Sequence, residues 1–141
     1  MIFFTSFYAS VLTLIYVFLA LRVMRHRTIK DISLGTGGDP ELERMIRVHA
    51  NFAEYVPLAL ILMIALELQF ADQIVLHGIG ILLIVARSVH AYGLSQVNDT
   101  RNFRLWGMRL TIFMMVVSSL LNFGYIAARI YLTQDAILQY D

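Results

Sequence analysis

Four long apolar runs constrain this chain more than any other feature of its sequence. The first, over residues 2–21, and the fourth, over residues 110–128, contain no charged residue. A bilayer core about 30 Å thick needs roughly 20 apolar residues of helix, whereas a membrane barrel would show short alternating strands. Only 15% of the residues are charged, against about 25% in a typical soluble domain. We therefore predict an all-α integral membrane four-helix bundle, one domain over residues 1–141, with spans at about 2–24, 41–70, 74–96 and 104–131.

The distribution of basic residues predicts how the four spans are oriented. The short second connection has no Lys or Arg, whereas the first and third connections carry or adjoin seven: Arg22, Arg25, Arg27, Lys30, Arg101, Arg104 and Arg109. By the positive-inside rule, the first and third loops are cytoplasmic and both termini lie outside. No basic stretch precedes the first run and no cleavage site follows it, so we expect a helix there and not a secretory signal.

The second span carries clear start and break signals. Asp39 followed by Pro40 is typical of a helix N-terminus, with the aspartate as N-cap and proline in the first turn. Pro57, inside the same span, removes a backbone donor and predicts a kink. Near the other end, Glu67 and Asp72 lie close to the membrane exit, and we expect both side chains to be solvated.

Charged residues at membrane depth are the strongest functional signal. At 100° per residue, Arg44, Arg47, Asn51 and Glu54 fall within an arc of about 80° on the second helix. The third helix adds Arg87 and His90, which are three residues apart and share a face. Such groups are costly in a bilayer and normally face a bundle interior or a wet cavity. Glu54 can balance one arginine only, so the excess positive charge needs an anion, water or lipid headgroups.

Structural explanations compete with a functional one at these positions. The basic residues after the first span are typical interface anchors, and Arg44 can serve as an anchor too. The pair formed by Arg47 and Glu54 can bridge helices without binding anything. A lone histidine in a span is more often packed than functional, and we assign His49 and His77 to structure.

Three motifs together resemble the MAPEG family, the membrane-associated proteins of eicosanoid and glutathione metabolism. They are Glu43-Arg44-x-x-Arg47-x-His49-x-Asn51-x-x-Glu54-Tyr55-x-Pro57 in the second helix, Ala86-Arg87-x-x-His90-Ala91 in the third, and Arg104-x-x-Gly107-Met108-x-Leu110-Thr111 in the fourth. The spacing of the four spans extends the resemblance over the whole chain, which is most similar to the bacterial branch of the family. That branch implies a bacterial inner membrane location.

The resemblance also implies an assembly, a ligand and a set of site residues. It implies a homotrimer that holds glutathione between subunits near the cytoplasmic side. The residues that would bind the peptide are Arg47, Asn51, Glu54, Arg87, His90, Arg44 and Arg22, and Arg104 would stabilise the glutathione thiolate as the catalytic residue. The activity implied is that of a microsomal-type glutathione S-transferase or peroxidase, with a lipophilic electrophile arriving from the membrane lipids.

Departures from the family pattern keep other functions open. Eicosanoid-making relatives have a tyrosine four residues after the position of His90, where this chain has Leu94; Tyr92 lies on a neighbouring face. This argues against a leukotriene synthase. The alternative is a non-enzymatic module whose arginine cavity holds an anionic lipid or organises a partner. A transporter is a weaker possibility, because only one span is interrupted by proline.

The absence of cysteine narrows the chemistry further. Without cysteine, the chain can form no disulfide, no thiolate metal site and no protein thiol nucleophile. We predict no metal centre. We also predict no nucleic-acid partner.

Overall fold

The protein consists of four long α-helices. A computed structural model describes residues 2–96 and 101–138, and these residues form no strand. The helices are α1 (Phe4–Lys30), α2 (Pro40–Leu68), α3 (Gln73–Ser95) and α4 (Arg101–Leu138). Each is long and apolar enough to cross a membrane. The prediction of an all-α fold with four membrane-length helices is therefore confirmed for the part of the chain that the structure describes.

The first and last helices are longer than the spans predicted for them. The helix α1 continues to Lys30, and the 38 residues of α4 correspond to a length of about 57 Å at 1.5 Å per residue. A bilayer core is only about 30 Å thick, so α4 extends beyond it. Most of the predicted third connection lies in residues 97–100, outside the described residues.

The start of α2 is held by a cap that also ties it to α1. One carboxylate oxygen of Asp39 accepts hydrogen bonds from the backbone N–H groups of Glu41 (2.8 Å) and Leu42 (3.0 Å). The other oxygen accepts one from His26 Nε2 at 3.0 Å, near the end of α1. The predicted N-cap is confirmed, and α2 continues through Pro57 as one helix.

At the opposite end of the bundle, a carboxylate from α2 caps α1. Glu67 accepts hydrogen bonds from the backbone N–H groups of Phe4 (2.9 Å) and Thr5 (2.7 Å), two donors that have no partner within α1 because they lie in its first turn. Only 9% of Glu67 is exposed. The prediction that Glu67 is solvated was therefore wrong, because the positive end of α1 packs over this carboxylate.

The core of the bundle is apolar, with a few polar ties between helices. Its fully buried side chains come from all four helices and include Leu12, Phe52, Met63, Leu76, Leu83 and Met114. Between α2 and α4, the Asn122 amide donates to the Leu62 carbonyl oxygen at 3.1 Å and accepts from Gln69 at 2.7 Å. Between α1 and α3, the Tyr8 hydroxyl lies 2.8 Å from His77 Nδ1. These ties satisfy polar groups that lipid cannot satisfy.

Candidate functional site

Arg87 of α3 is the centre of the candidate site. Its side chain is completely buried, and Nη2 donates a hydrogen bond to Asn51 Oδ1 on α2 at 2.7 Å. The guanidinium carbon lies 5.7 Å from the ring centre of Phe52 and 5.5 Å from that of Tyr55, within range of a cation–π interaction. The structure thus brings together Arg87 and Asn51, two predicted site residues from different helices.

Two of the donor atoms of Arg87 are not used within the subunit. Nε and Nη1 are buried and have no hydrogen-bond partner among the described residues, and the same holds for Nε2 of His90, one turn further along α3. An unpaired buried donor on a charged group costs more than 1–3 kcal/mol, the approximate cost for a neutral group. The open donors therefore favour a site that an acceptor, and above all an anion, would complete.

His90 is fixed by an unusually close approach of α3 and α4. Its Nδ1 lies 2.9 Å from the backbone carbonyl oxygen of Arg104, and since a carbonyl can only accept, Nδ1 carries the proton. In the neutral imidazole, Nε2 is then an acceptor, and this atom is buried. A Cβ atom built on Gly107 would lie 2.5 Å from His90 N and 2.7 Å from Ala86 O. Only glycine permits this contact between the helices.

Arg104 enters the site from α4. Its side chain is half-buried, and its own backbone carbonyl is the partner of His90. The same close contact involves Gly93, whose added Cβ would lie 2.5 Å from Arg104 N. The position of Arg104 relative to α3 is therefore set by backbone contacts, which leave little freedom.

Arg47 and Glu54 lie on the exposed surface of α2. Neither forms a salt bridge with any other residue in the part of the chain that the structure describes. An ion pair within one subunit therefore does not explain them, although Glu54 is close enough to Arg87 to interact with its charge. Asn51, between them in sequence, is half-buried and turns towards Arg87.

The two remaining candidates are Arg22, in the C-terminal part of α1, and Arg44, near the start of α2. Arg22 is half-buried; its Nη1 is 3.4 Å from Ser95 Oγ, and its guanidinium lies 6.0 Å from the ring centre of Phe18. Arg44 lines a separate cavity of about 560 Å³ beside the loop between α1 and α2, together with Lys30 and Asp39. No described contact joins Arg44 to Arg87, so its role in the same site stays a prediction.

The motifs did not indicate some of the residues that shape the site. The rings of Phe52 and Tyr55 flank the guanidinium of Arg87; Phe52 lies outside the second-helix motif, and Tyr55 is in the motif but was not predicted as a site residue. Their spacing from Asn51, one and four residues along α2, is a signal in the sequence that could have placed both rings near the same arginine. Gly107 belongs to the fourth-helix motif, but its contact with Ala86 and His90, like the contact of Gly93 with Arg104, has no signal of its own in the sequence.

The fold and the site together define a class: a four-helix membrane protein with a buried arginine and open donors between its second and third helices. Comparison with known proteins agrees with this class. The model of the MAPEG family matches residues 5–124. Two similar proteins, both named inner membrane protein YecN, come from Escherichia coli strain K12 and from E. coli O6:H1. Each is 33% identical over 121 residues, which cover 86% of this chain and 91% of the relative. The chain belongs to the MAPEG family.

Proposed function

We propose that this chain binds glutathione and acts as a glutathione transferase or peroxidase on lipophilic electrophiles. The observation that carries the proposal is Arg87: a fully buried guanidinium with two donor atoms that have no described partner. Guanidinium groups bind carboxylates in a fixed two-pronged geometry. Family membership supports glutathione as the source of that carboxylate.

The chemistry of the donor set fits this tripeptide. Glutathione has two carboxylates, an ammonium and a thiol, so its site needs several cations and one carboxylate. The open donors of Arg87, together with Arg47, would hold carboxylates, and Glu54 would pair with the ammonium. His90 Nε2, as an acceptor, would take a backbone or ammonium donor of the ligand.

Arg104 is the residue proposed to act on the reacting group. A thiolate is the nucleophile in this class of reaction, and a nearby guanidinium lowers the pKa of a thiol by stabilising its charged form. Arg104 is half-buried and its backbone packs closely against α3. Its guanidinium can therefore be held at a defined position. Glutathione would supply the nucleophile, since the chain has no cysteine.

The assembly proposed is a homotrimer, with the site completed between subunits. Arg47 and Glu54 are exposed on the surface of one subunit. Water or lipid headgroups would compete there and weaken their electrostatic interactions with a ligand. Burial against a neighbouring copy would remove that competition. A contact by Arg22 or Arg44 of a neighbouring copy would add the further cations of the site.

The membrane proposed is the bacterial inner membrane, as the names of the two E. coli relatives state for those proteins. With the first and third loops on the cytoplasmic side, the end of α2 that carries Arg47 faces the cytoplasm. Lipophilic substrates would enter sideways from the bilayer.

Isothermal titration of glutathione into the detergent-purified protein tests the proposal. We expect binding below millimolar ligand and a loss of affinity of about tenfold or more in Arg47→Ala, since a charge-assisted hydrogen bond contributes about 1.5–3 kcal/mol. Arg129→Ala is the matched control, because Arg129 is also exposed but lies near the far end of α4. Absence of binding at millimolar glutathione, or equal affinity in the two variants, would exclude the function.

An anionic-lipid-binding or partner-organising module is the second candidate, and Leu94 in place of the tyrosine of eicosanoid-making relatives is the observation that favours it. The two functions differ in whether the thiol of added glutathione becomes a thiolate. A transferase should give an ultraviolet thiolate signal on adding glutathione, and Arg104→Ala should abolish it. The module should instead retain phospholipid through purification and give no thiolate signal.

A further inference from the structure

Two exposed arginines of α4 flank its uncharged run, residues 110–128. Arg109 precedes the run and Arg129 follows it, and both side chains are exposed. At 1.5 Å per residue, the run is about 28 Å long, which matches a hydrocarbon core about 30 Å thick. When the run fills that core, the two arginines lie at opposite surfaces of the membrane.

The guanidinium of Arg109 is held over an aromatic ring. Its carbon lies 5.5 Å from the ring centre of Trp106, one turn earlier on α4, so the side chain extends away from the middle of the run. In a membrane this is the direction of the headgroups. Stacking uses the face of a guanidinium and leaves the N–H groups at its edge free to bind an anion. Among the residues that the structure describes, none forms a salt bridge with Arg109.

Exposed aromatic rings from two helices accompany this arginine. Trp106 and Phe103 of α4 and Tyr92 of α3 are each about half exposed. The rings of Tyr92 and Phe103 are in edge contact, with centres 5.8 Å apart, so these two side chains lie at one depth. Exposed Trp and Tyr rings are typical of the boundary between membrane and water. We call Tyr92, Phe103, Trp106 and Arg109 the interfacial patch.

An apolar ridge continues from the patch along α4. At 100° per residue, Phe113, Val116 and Leu120 fall within an arc of about 60° that also contains Arg109. All three apolar side chains are more than half exposed. From Arg109 to Leu120 the ridge is about 16 Å long, close to the half-thickness of a hydrocarbon core about 30 Å thick. One acyl chain of a single leaflet covers that length.

We propose that the interfacial patch and the ridge bind one phospholipid per subunit and prefer a headgroup with net negative charge. Its phosphate would accept hydrogen bonds from the edge of the Arg109 guanidinium, and one acyl chain would lie along the ridge. An anionic headgroup balances Arg109, whereas choline would bring a second cation. This lipid differs from one held in the arginine cavity, because Arg87 is completely buried and Arg109 is exposed. In the orientation proposed above, the lipid belongs to the cytoplasmic leaflet.

Native mass spectrometry of the detergent-purified protein tests the site. The probes are phosphatidylglycerol and phosphatidylcholine with the same acyl chains. We expect one phosphatidylglycerol per subunit, bound about fivefold more tightly than phosphatidylcholine, the ratio expected of one basic residue at a membrane surface. Glycerol phosphate at the same concentration should not displace it, because this free headgroup has no chain to cover the ridge. Equal affinity for the two lipids, or displacement by glycerol phosphate, would overturn the proposal.

Three variants separate this site from general attraction between charges. Arg109→Ala should lower the affinity for phosphatidylglycerol to about that for phosphatidylcholine, whereas the matched Arg129→Ala, at the other membrane surface, should keep the preference. Trp106→Leu keeps the charge but removes the stacking, and it should weaken phosphatidylglycerol binding by about two- to fivefold.

Two outcomes of these variants would overturn the proposal. An equal loss of affinity in Arg109→Ala and Arg129→Ala would show attraction to any exposed cation. A changed oligomeric state in Arg109→Ala would show that a second copy of the chain covers this face of α4. No glutathione is present in the measurement, so its result is independent of the function proposed above.

Discussion

Replacing Gly107 with alanine tests whether the close contact between α3 and α4 positions the site. The new Cβ would lie 2.5 Å from His90 N, about 0.9 Å closer than an ordinary van der Waals contact. The obstacle is the backbone of α3 at Ala86 and His90, so no side chain can rotate away. Gly124→Ala, on the same helix, is the matched control because its Cβ would meet nothing within 4 Å.

The size of the effect follows from three contributions. Separating the helices by about 0.9 Å would stretch the hydrogen bond from His90 to the Arg104 carbonyl, now 2.9 Å, beyond bonding range. That costs about 0.5–1.5 kcal/mol, and overpacking costs about 1–3 kcal/mol. Alanine recovers about 1 kcal/mol of helix propensity. We expect Gly107→Ala to lower the free energy of unfolding by about 0.5–3.5 kcal/mol, and Gly124→Ala to raise it by about 0.5–1 kcal/mol.

Two measurements check this prediction in mixed detergent. Denaturant titration followed by circular dichroism gives the free energies of unfolding of both variants and the wild type. Titration with glutathione gives their affinities, which should fall in Gly107→Ala only. Equal stability of the two variants would refute the close contact. A destabilised Gly107→Ala that binds glutathione like the wild type would refute the idea that this contact positions His90 and Arg104.

Three further predictions concern polar groups in other parts of the bundle. Glu67→Gln should lower the free energy of unfolding by about 1–3 kcal/mol, because a neutral amide offers one acceptor oxygen where the carboxylate bonds two N–H groups at the start of α1; the exposed Glu43→Gln should change it little in the same denaturant titration. The hydrogen bond from His26 lowers the pKa of the Asp39 carboxyl to about 2, below its ordinary value, so the cap should stabilise the protein above about pH 4 and lose that effect as the pH falls towards 2. Asp39→Asn should remove this pH dependence, and an acid titration that is identical in both proteins would contradict the cap. Arg87→Lys keeps the charge but loses the fixed fork, and it should weaken glutathione binding by about 10- to 100-fold in calorimetry; unchanged affinity would show that the open donors do not hold the ligand.

Local sequence patterns were sufficient to predict the number and type of the secondary-structure elements. The four spans follow from apolar runs of membrane length. A helix forms its backbone hydrogen bonds within itself, and each side chain in contact with lipid must be apolar whatever the rest of the chain does. The start of α2 follows in the same way, since Asp39 caps N–H groups only two and three residues ahead. The periodicity of α2 also placed Arg47, Asn51 and Glu54 on one stripe.

The pattern could not show which members of that stripe become buried. In the tertiary structure Asn51 turns towards Arg87, while Arg47 and Glu54 stay on the surface. Periodicity gives the relative angles of residues on one helix, but it carries no information on which neighbouring helix lies against which angle. The same limit explains Glu67, whose burial depends on the N-terminus of α1, more than sixty residues away in the chain.

By itself, then, the sequence determined that this protein is a bundle of four membrane helices with more positive charge at depth than its carboxylates can balance. Hydropathy, caps and charge are local properties, and each can be read over one or two turns of helix. Only the tertiary structure decided that Arg87 is the arginine buried with open donors, and that two glycines bring Arg104 and His90 together. Those outcomes depend on contacts between α2, α3 and α4, and packing between helices is a property of pairs of surfaces.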